Sequence, residues 1–216
     1  MRILYARNNQ IKSLDHLPST LGILSCSNNK IKKLNKLLPK LYNLNCCNNN
    51  IKILNCLPLK LQDLICSNNK IKKLDMLPIN LKGLICSDNL IKELNHLPLK
   101  LEMLDCSYNL INNLNHLPNT LIILYCNNNE LLKLINLPPI LKTLLCYPEQ
   151  IINLVSLPYF LKKCNCDSIK EIIIKRKIFI ELRNKNLKKL KNRNVVIIQK
   201  MWRKSYIKIF FKNIIE

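Results

Sequence analysis

The sequence predicts an α/β repeat solenoid: an arc with a parallel β-sheet on its concave side, extended segments on its convex side, and a helical C-terminal tail. Leucine recurs every 20 residues from Leu21 to Leu161. A cysteine and an asparagine recur at fixed positions of the same unit, and a Leu-Pro pair closes most units. One such unit cannot bury its own apolar face, whereas a stack of units buries a continuous core.

Within each unit, the Leu-x-Cys segment predicts a short strand with alternating faces. Leu24 and Cys26 should point inward, and Ser25 and Ser27 should point outward. The asparagine that follows, Asn29 in this unit, should hydrogen-bond backbone groups of the turn and of the next coil. The Leu-Pro segment then returns in an extended conformation, because proline disfavours helix in the residue before it.

The unit L-x-x-L-x-C-x-x-N-x-I, followed by x-x-L-x-x-L-P, resembles the leucine-rich repeat. Its short length and its Leu-Pro segment resemble the repeats of bacterial effectors and giant viruses. The resemblance covers residues 1–167, as eight full repeats and a partial ninth, and residues 168–216 form a basic tail. It implies a non-enzymatic scaffold that binds proteins on its concave sheet. In some bacterial relatives a ubiquitin-ligase domain follows such repeats; we do not expect one here, because the tail is far too short for it.

The composition argues against several kinds of site and location. The chain has only two glycines among 216 residues, so no glycine-rich loop can cradle a phosphate. Its first residues lack an apolar signal-peptide core, and no apolar run approaches the roughly 20 residues of a membrane helix. We expect an intracellular protein, in the host cytoplasm if the chain is viral. The first repeat has no capping element, which predicts a frayed first coil, self-association through that end, or a truncated gene.

The cysteine column is interpreted as a stack of small buried hydrophobes in a reducing compartment, since one inward thiol per coil does not make a tetrahedral metal cluster. Cys47 should face outward and is the candidate reactive thiol. His16, His96 and His116 share one variable position, which predicts exposure; a metal pair between His96 and His116 is the alternative. No catalytic residue, metal or cofactor is predicted.

The outward strand positions form the candidate partner-binding surface, with an apolar patch toward its C-terminal half. Exposed apolar patches mark protein interaction sites. Uncharged outward positions also arise from β-propensity alone, and both explanations remain open. The candidate residues are Ile65, Ile85, Met103, Asp105, Ile123, Tyr125, Leu145 and Tyr147.

The formal net charge of +22 suggests an alternative function, in which the chain binds nucleic acid or anionic membrane and the repeats act as a spacer. A lysine ladder that runs from Lys12 through Lys32, Lys52 and Lys72 to Lys92 either contacts phosphates or forms a solvated face. It has no interleaved aromatic residues, so base recognition is not expected.

The tail, residues 168–216, carries more than half of the net charge and contains no proline or glycine, which predicts helix. Segment 198–211 resembles the IQ motif, the helical ligand of calmodulin-like proteins. The matching residues are Ile198, Gln199, Arg203, Lys208 and Phe211, whereas Lys204 stands where the motif has glycine. The resemblance implies a calmodulin-like partner in helix-in-groove binding. Packing on the repeats or on anionic lipid are the alternatives.

Overall fold

The computed structural model describes residues 2–14, 16–34, 38–55, 57–147, 157–158, 160–165, 170 and 173–174. Within these residues, nine parallel strands form a single sheet whose strand order follows the chain. The strands are β1 (Arg2–Tyr5), β2 (Leu21–Ser25), β3 (Asn43–Asn45), β4 (Asp63–Ile65), β5 (Gly83–Ile85), β6 (Met103–Asp105), β7 (Ile123–Tyr125), β8 (Thr143–Leu145) and β9 (Lys163–Cys164). The predicted parallel solenoid is confirmed.

The strands pair with an offset equal to the repeat length. Leu44 lies opposite Leu64, and Asn45 lies opposite Ile65. Each column of the repeat therefore becomes a row of side chains that crosses the sheet. Most strands end one residue before the cysteine, although the Cys46 amide still donates to the Ile65 carbonyl at 2.8 Å and so extends the ladder.

The core consists of aliphatic side chains and thiols, as predicted. Leu24, Cys26 and Ile31 are fully buried, and their equivalents in the following coils repeat the pattern. A turn closes each Leu-Pro segment: the Leu61 amide donates to the Pro58 carbonyl at 2.9 Å. These turns return the chain to the start of the next strand.

Each buried asparagine joins two coils, but the second coil is the preceding one, so the prediction of contacts with the next coil is wrong. Asn69 Nδ2 donates to the carbonyls of Cys46, Cys66 and Ser67, each at 3.1 Å. Its Oδ1 accepts the amide proton of Ile51 at 2.9 Å. The Ile51 amide points toward the following coil, so its acceptor has to come from that coil.

The residue before each asparagine of this column has a left-handed backbone conformation, with φ between 53° and 56° from Asn8 to Asn128. Asparagine or aspartate occupies this position in every described coil except one, and both tolerate a positive φ better than other residues that carry a Cβ. Tyr108 is the exception, with φ of 54°.

The predicted helical tail lies almost entirely outside the described residues. Lys170, Ile173 and Ile174 are helical, and Ile173 packs against the core. The IQ-like segment 198–211 lies outside the description and stays a prediction. Among the described residues, no helix has the length and apolarity that a bilayer crossing requires.

Candidate functional site

The predicted partner-binding residues lie together on the outward face of the sheet. Ile65, Ile85, Asp105, Tyr125 and Leu145 are direct neighbours in register and form one continuous row across β4 to β8. Each is half-buried. The hydrogen-bonded ladder fixes their backbones, so this row is a rigid platform before any partner arrives.

A second row runs parallel to the first. Met103 lies opposite Ile123, which lies opposite Thr143. Tyr147 follows β8, and 37% of its surface is exposed. We use the name apolar sheet patch for Ile65, Ile85, Met103, Ile123, Tyr125, Leu145 and Tyr147, which surround Asp105.

Asp105 places a carboxylate inside this patch. Its Oδ1 accepts hydrogen bonds from the Ser107 amide at 3.1 Å and from the Ser107 hydroxyl. Its Oδ2 has no hydrogen-bond donor among the described residues. The arrangement fixes the carboxylate and leaves one oxygen as an acceptor in apolar surroundings, where a hydrogen bond to a charged donor is strong.

In the first row, the polar side chains of Ser25 and Asn45 lie between Tyr5 and Ile65. Asn43 Nδ2 donates to Asp63 Oδ2 at 3.4 Å, and the Ser87 hydroxyl donates to the Ser67 hydroxyl at 3.0 Å. Ser25 is buried rather than exposed, because Arg7 of the preceding coil donates a hydrogen bond to its hydroxyl. The first row therefore changes from polar side chains at Ser25 and Asn45 to mostly apolar ones from Ile65 onward.

Gly83 accommodates the side chain of Asp63, its neighbour in the second row. A Cβ at this position would lie 2.8 Å from Asp63 Oδ1, closer than real Cβ contacts allow. Because Gly83 has no side chain, the Asp63 carboxylate occupies the space that a Cβ would need. The sequence analysis did not identify this close contact, although Gly83 is one of only two glycines in the chain.

Tyr108 is a second feature that the sequence analysis missed. It follows Ser107 in the turn after β6, and 53% of its surface is exposed. A bulky residue with a positive φ stores backbone strain, and such strain clusters at functional sites. The sequence feature that could have identified Tyr108 is its position in a column that otherwise holds asparagine or aspartate.

The cysteine column gives the site no reactive group at neutral pH. Desolvation by burial raises the pKa of Cys66 and of Cys126 to about 12. Those thiols stay protonated, which removes the thiolate that both nucleophilic attack and metal binding require. Among the described residues, no three His, Cys, Asp or Glu side chains are grouped to hold a metal. Cys47 is partly exposed, and Cys164 occupies the inner row opposite Leu144.

The histidines and the lysine ladder lie away from this face. His16, His96 and His116 are exposed, as predicted. Lys52 and Lys72 of the ladder line an open groove of about 580 Å³. Its other lining residues are Lys70, Lys73, Ile53, Leu90, Asn55 and Asp75.

Solved structures of bacterial proteins have the same fold. YopM from Yersinia enterocolitica WA-314 has a TM-score of 0.70 and 37% identity over 74% of this chain, and this chain covers 36% of it. For YopM of Yersinia pestis, a leucine-rich effector protein, the TM-score is 0.67 and the identity 34%, over 75% of this chain and 48% of that one. The functional domain of InlJ from Listeria monocytogenes, which includes a cysteine ladder, has a TM-score of 0.60 and 28% identity, over 75% of this chain and 43% of that one.

The chain thus spans less than two thirds of each of these proteins. No protein-family model matches the chain, and neither does any curated protein.

Proposed function

We propose that this chain, a parallel solenoid that matches those of leucine-rich-repeat proteins, is a non-enzymatic scaffold that binds another protein on the apolar sheet patch. One observation carries this proposal: apolar side chains from five successive strands lie in two adjacent rows on a rigid surface. Grouped apolar surface of this kind is typical of protein interfaces. Binding there desolvates side chains that are already ordered, so little conformational entropy is lost.

The patch also indicates the chemistry of its partner. Ile85, Tyr125 and Leu145 favour apolar side chains, and Asp105 favours one positively charged group placed among them. An arginine is the better match, because its guanidinium is weakly hydrated and donates in a fixed geometry. Tyr108 contributes an exposed aromatic ring near the edge of the patch, and aromatic residues are frequent among the strongest interface contacts.

The proposal is tested by site-specific photo-crosslinking in cells that produce the full chain. A photoreactive phenylalanine analogue replaces Tyr125 in the patch or, as a matched control, Asn45 in the polar half of the same row. We expect one protein to be captured from position 125 and not from position 45. Equal capture at both positions, or none at position 125, contradicts the proposal.

The captured protein is then purified and its affinity measured. We expect Tyr125→Ala to weaken binding at least about tenfold, since it removes the aromatic side chain from the middle of the patch. Asn45→Ala shortens a side chain outside the patch and should change the affinity less than about twofold. A similar loss for both variants means that the patch is not the interface.

For the tail, we propose that segment 198–211 binds a calmodulin-like protein. The match of Ile198, Gln199, Arg203, Lys208 and Phe211 to the IQ motif supports it. The affinity of the full chain for calmodulin is measured by calorimetry with and without calcium. Ile198→Glu and Arg203→Ala should each weaken it, and unchanged affinity in both variants contradicts the proposal. We also propose a reducing, intracellular setting, which the burial of thiols such as Cys66, Cys86 and Cys106 supports.

A further inference from the structure

A second charged surface lies where the chain enters the strands, apart from both the sheet patch and the lysine ladder. It is an open groove of about 490 Å³. Four lysines line it, Lys40, Lys60, Lys82 and Lys100, together with Tyr42 and Asn80. All four lysine side chains are exposed.

The backbone holds these lysines in a regular array. Lys40, Lys60 and Lys100 each occupy the same place in the turn that closes a coil, just before a leucine whose amide completes the turn. In the Lys60 turn, the Leu61 amide donates to the Pro58 carbonyl at 2.9 Å. Neighbouring strands lie about 4.8 Å apart, so the backbones of Lys60 and Lys100, two coils apart, are held about 10 Å apart.

The positive charge of the groove is hardly neutralised. Lys82 forms an ion pair with Glu102 at 3.8 Å, but both side chains are about half exposed and such pairs contribute little. Lys100 Nζ donates to Asn80 Oδ1 at 3.0 Å, which orients the ammonium group and keeps its charge. Lys40 and Lys60 form no ion pair with any described residue. Like charges this close repel one another unless an anion lies between them.

The array is short. Thr20 precedes it and Thr120 follows it at the same position of the repeat. Its lysines span three coil spacings from Lys40 to Lys100, about 14 Å at 4.8 Å each. A long nucleic acid would extend past both ends, whereas a compact anion with several phosphate groups matches this length and charge.

We propose that this groove binds a compact polyphosphate anion, in which adjacent phosphate groups are contacted by lysines from successive coils. Each ammonium donates charge-assisted hydrogen bonds to phosphate oxygens. Asn80 contributes by orienting Lys100, and its own Nδ2 donates to the Leu59 carbonyl at 3.1 Å. This site is independent of the protein-binding patch.

The test is calorimetric titration of the full chain with inorganic tripolyphosphate at physiological salt. The variant Lys40→Gln/Lys60→Gln/Lys100→Gln should weaken binding at least about tenfold. The control Lys32→Gln/Lys52→Gln/Lys92→Gln removes the same net charge from the lysine ladder and should change it less than about threefold. Equal losses in the two variants, or no loss in the first, overturn the proposal. So does tighter binding of a single-stranded oligonucleotide that both variants weaken alike, because the anion is then a polymer held by overall charge.

A site-resolved measurement separates this groove from the basic tail. Brief acetylation of exposed amines, read by mass spectrometry, reports each lysine individually. Tripolyphosphate should slow the acetylation of Lys60 and Lys100 severalfold and leave that of Lys52 unchanged. Equal protection of these three lysines, or protection confined to residues 168–216, overturns the proposal.

Discussion

Replacement of Asn69 by alanine is the sharpest test of how the coils are held together. The side chain of Asn69 is 9% exposed and lies between two coils. It donates to three backbone carbonyls and accepts the Ile51 amide proton, so the side-chain amide of Asn69 forms hydrogen bonds with both coils. Alanine keeps the backbone and removes all four contacts.

The magnitude follows from those contacts. Ile51 is fully buried, and an amide that loses its acceptor there costs about 1–3 kcal/mol. The two N–H groups of Asn69 share three carbonyls, and their loss adds about 1 kcal/mol each. We expect the free energy of unfolding to fall by about 4 kcal/mol, a large share of the roughly 5–15 kcal/mol of a typical domain.

The assay is urea unfolding followed by circular dichroism, with the slope of the transition checked against wild type. Asn9 is the matched control, because it occupies the same column in the first coil. Asn9 is exposed, and its Nδ2 donates to the Arg7 carbonyl of its own coil at 2.8 Å. Asn9→Ala should therefore cost less than about 1 kcal/mol. A cost for Asn69→Ala as small as that of the control would refute the bridging role.

Three further changes test other features. Tyr108→Asn should raise the free energy of unfolding by about 1 kcal/mol, because asparagine tolerates the left-handed backbone conformation better than tyrosine. A fall in thermal stability would show that the backbone at Tyr108 is not strained. Raising the pH from 7 to 10 should destabilise the fold. Burial raises the pKa of Cys66 from 9.0 to about 12, so the thiol loses its proton in the unfolded chain before it does so in the folded one. Each such thiol should lower the free energy of unfolding by about 1.4 kcal/mol at pH 10. In the Cys66→Val variant, the decrease in the free energy of unfolding between pH 7 and pH 10 should be smaller by that amount. An equal decrease in wild type and variant would contradict the burial of the thiol. Gly83→Ala should cost about 1 kcal/mol by displacing the Asp63 carboxylate, and the same change in an Asp63→Ala background should be neutral or stabilising. An unchanged cost in that background would show that the conflict is not with Asp63.

The repeat allowed the buried columns to be predicted because burial repeats with the unit. Leu24 and Cys26 point into the core since a strand alternates its faces, and every coil repeats the same environment. The same argument placed Ile65, Ile85 and Tyr125 on the outward face. Periodicity alone was sufficient for these positions, because the next coil presents the same kind of neighbour.

Contacts between individual side chains of adjacent coils could not be predicted in this way. Ser25 is buried because one arginine, Arg7, precedes it in the neighbouring coil. Position 83 has no room for a Cβ because its neighbour in the row is Asp63. The direction of the asparagine bridge depends on where the Ile51 amide points, and a sequence column does not contain that information. The lysine groove likewise depends on turn geometry that gathers residues 20 positions apart.

The asparagine bridges give the solenoid a polarity. The amide of Ile51 has an acceptor only once Asn69 is in place, 18 residues later in the chain. A ribosome releases the coils in that order, so each new coil completes the hydrogen bonding of the one that emerged before it. During synthesis, each added coil therefore supplies the hydrogen-bond acceptor that the preceding coil lacks, so the solenoid can form coil by coil from the N-terminal end.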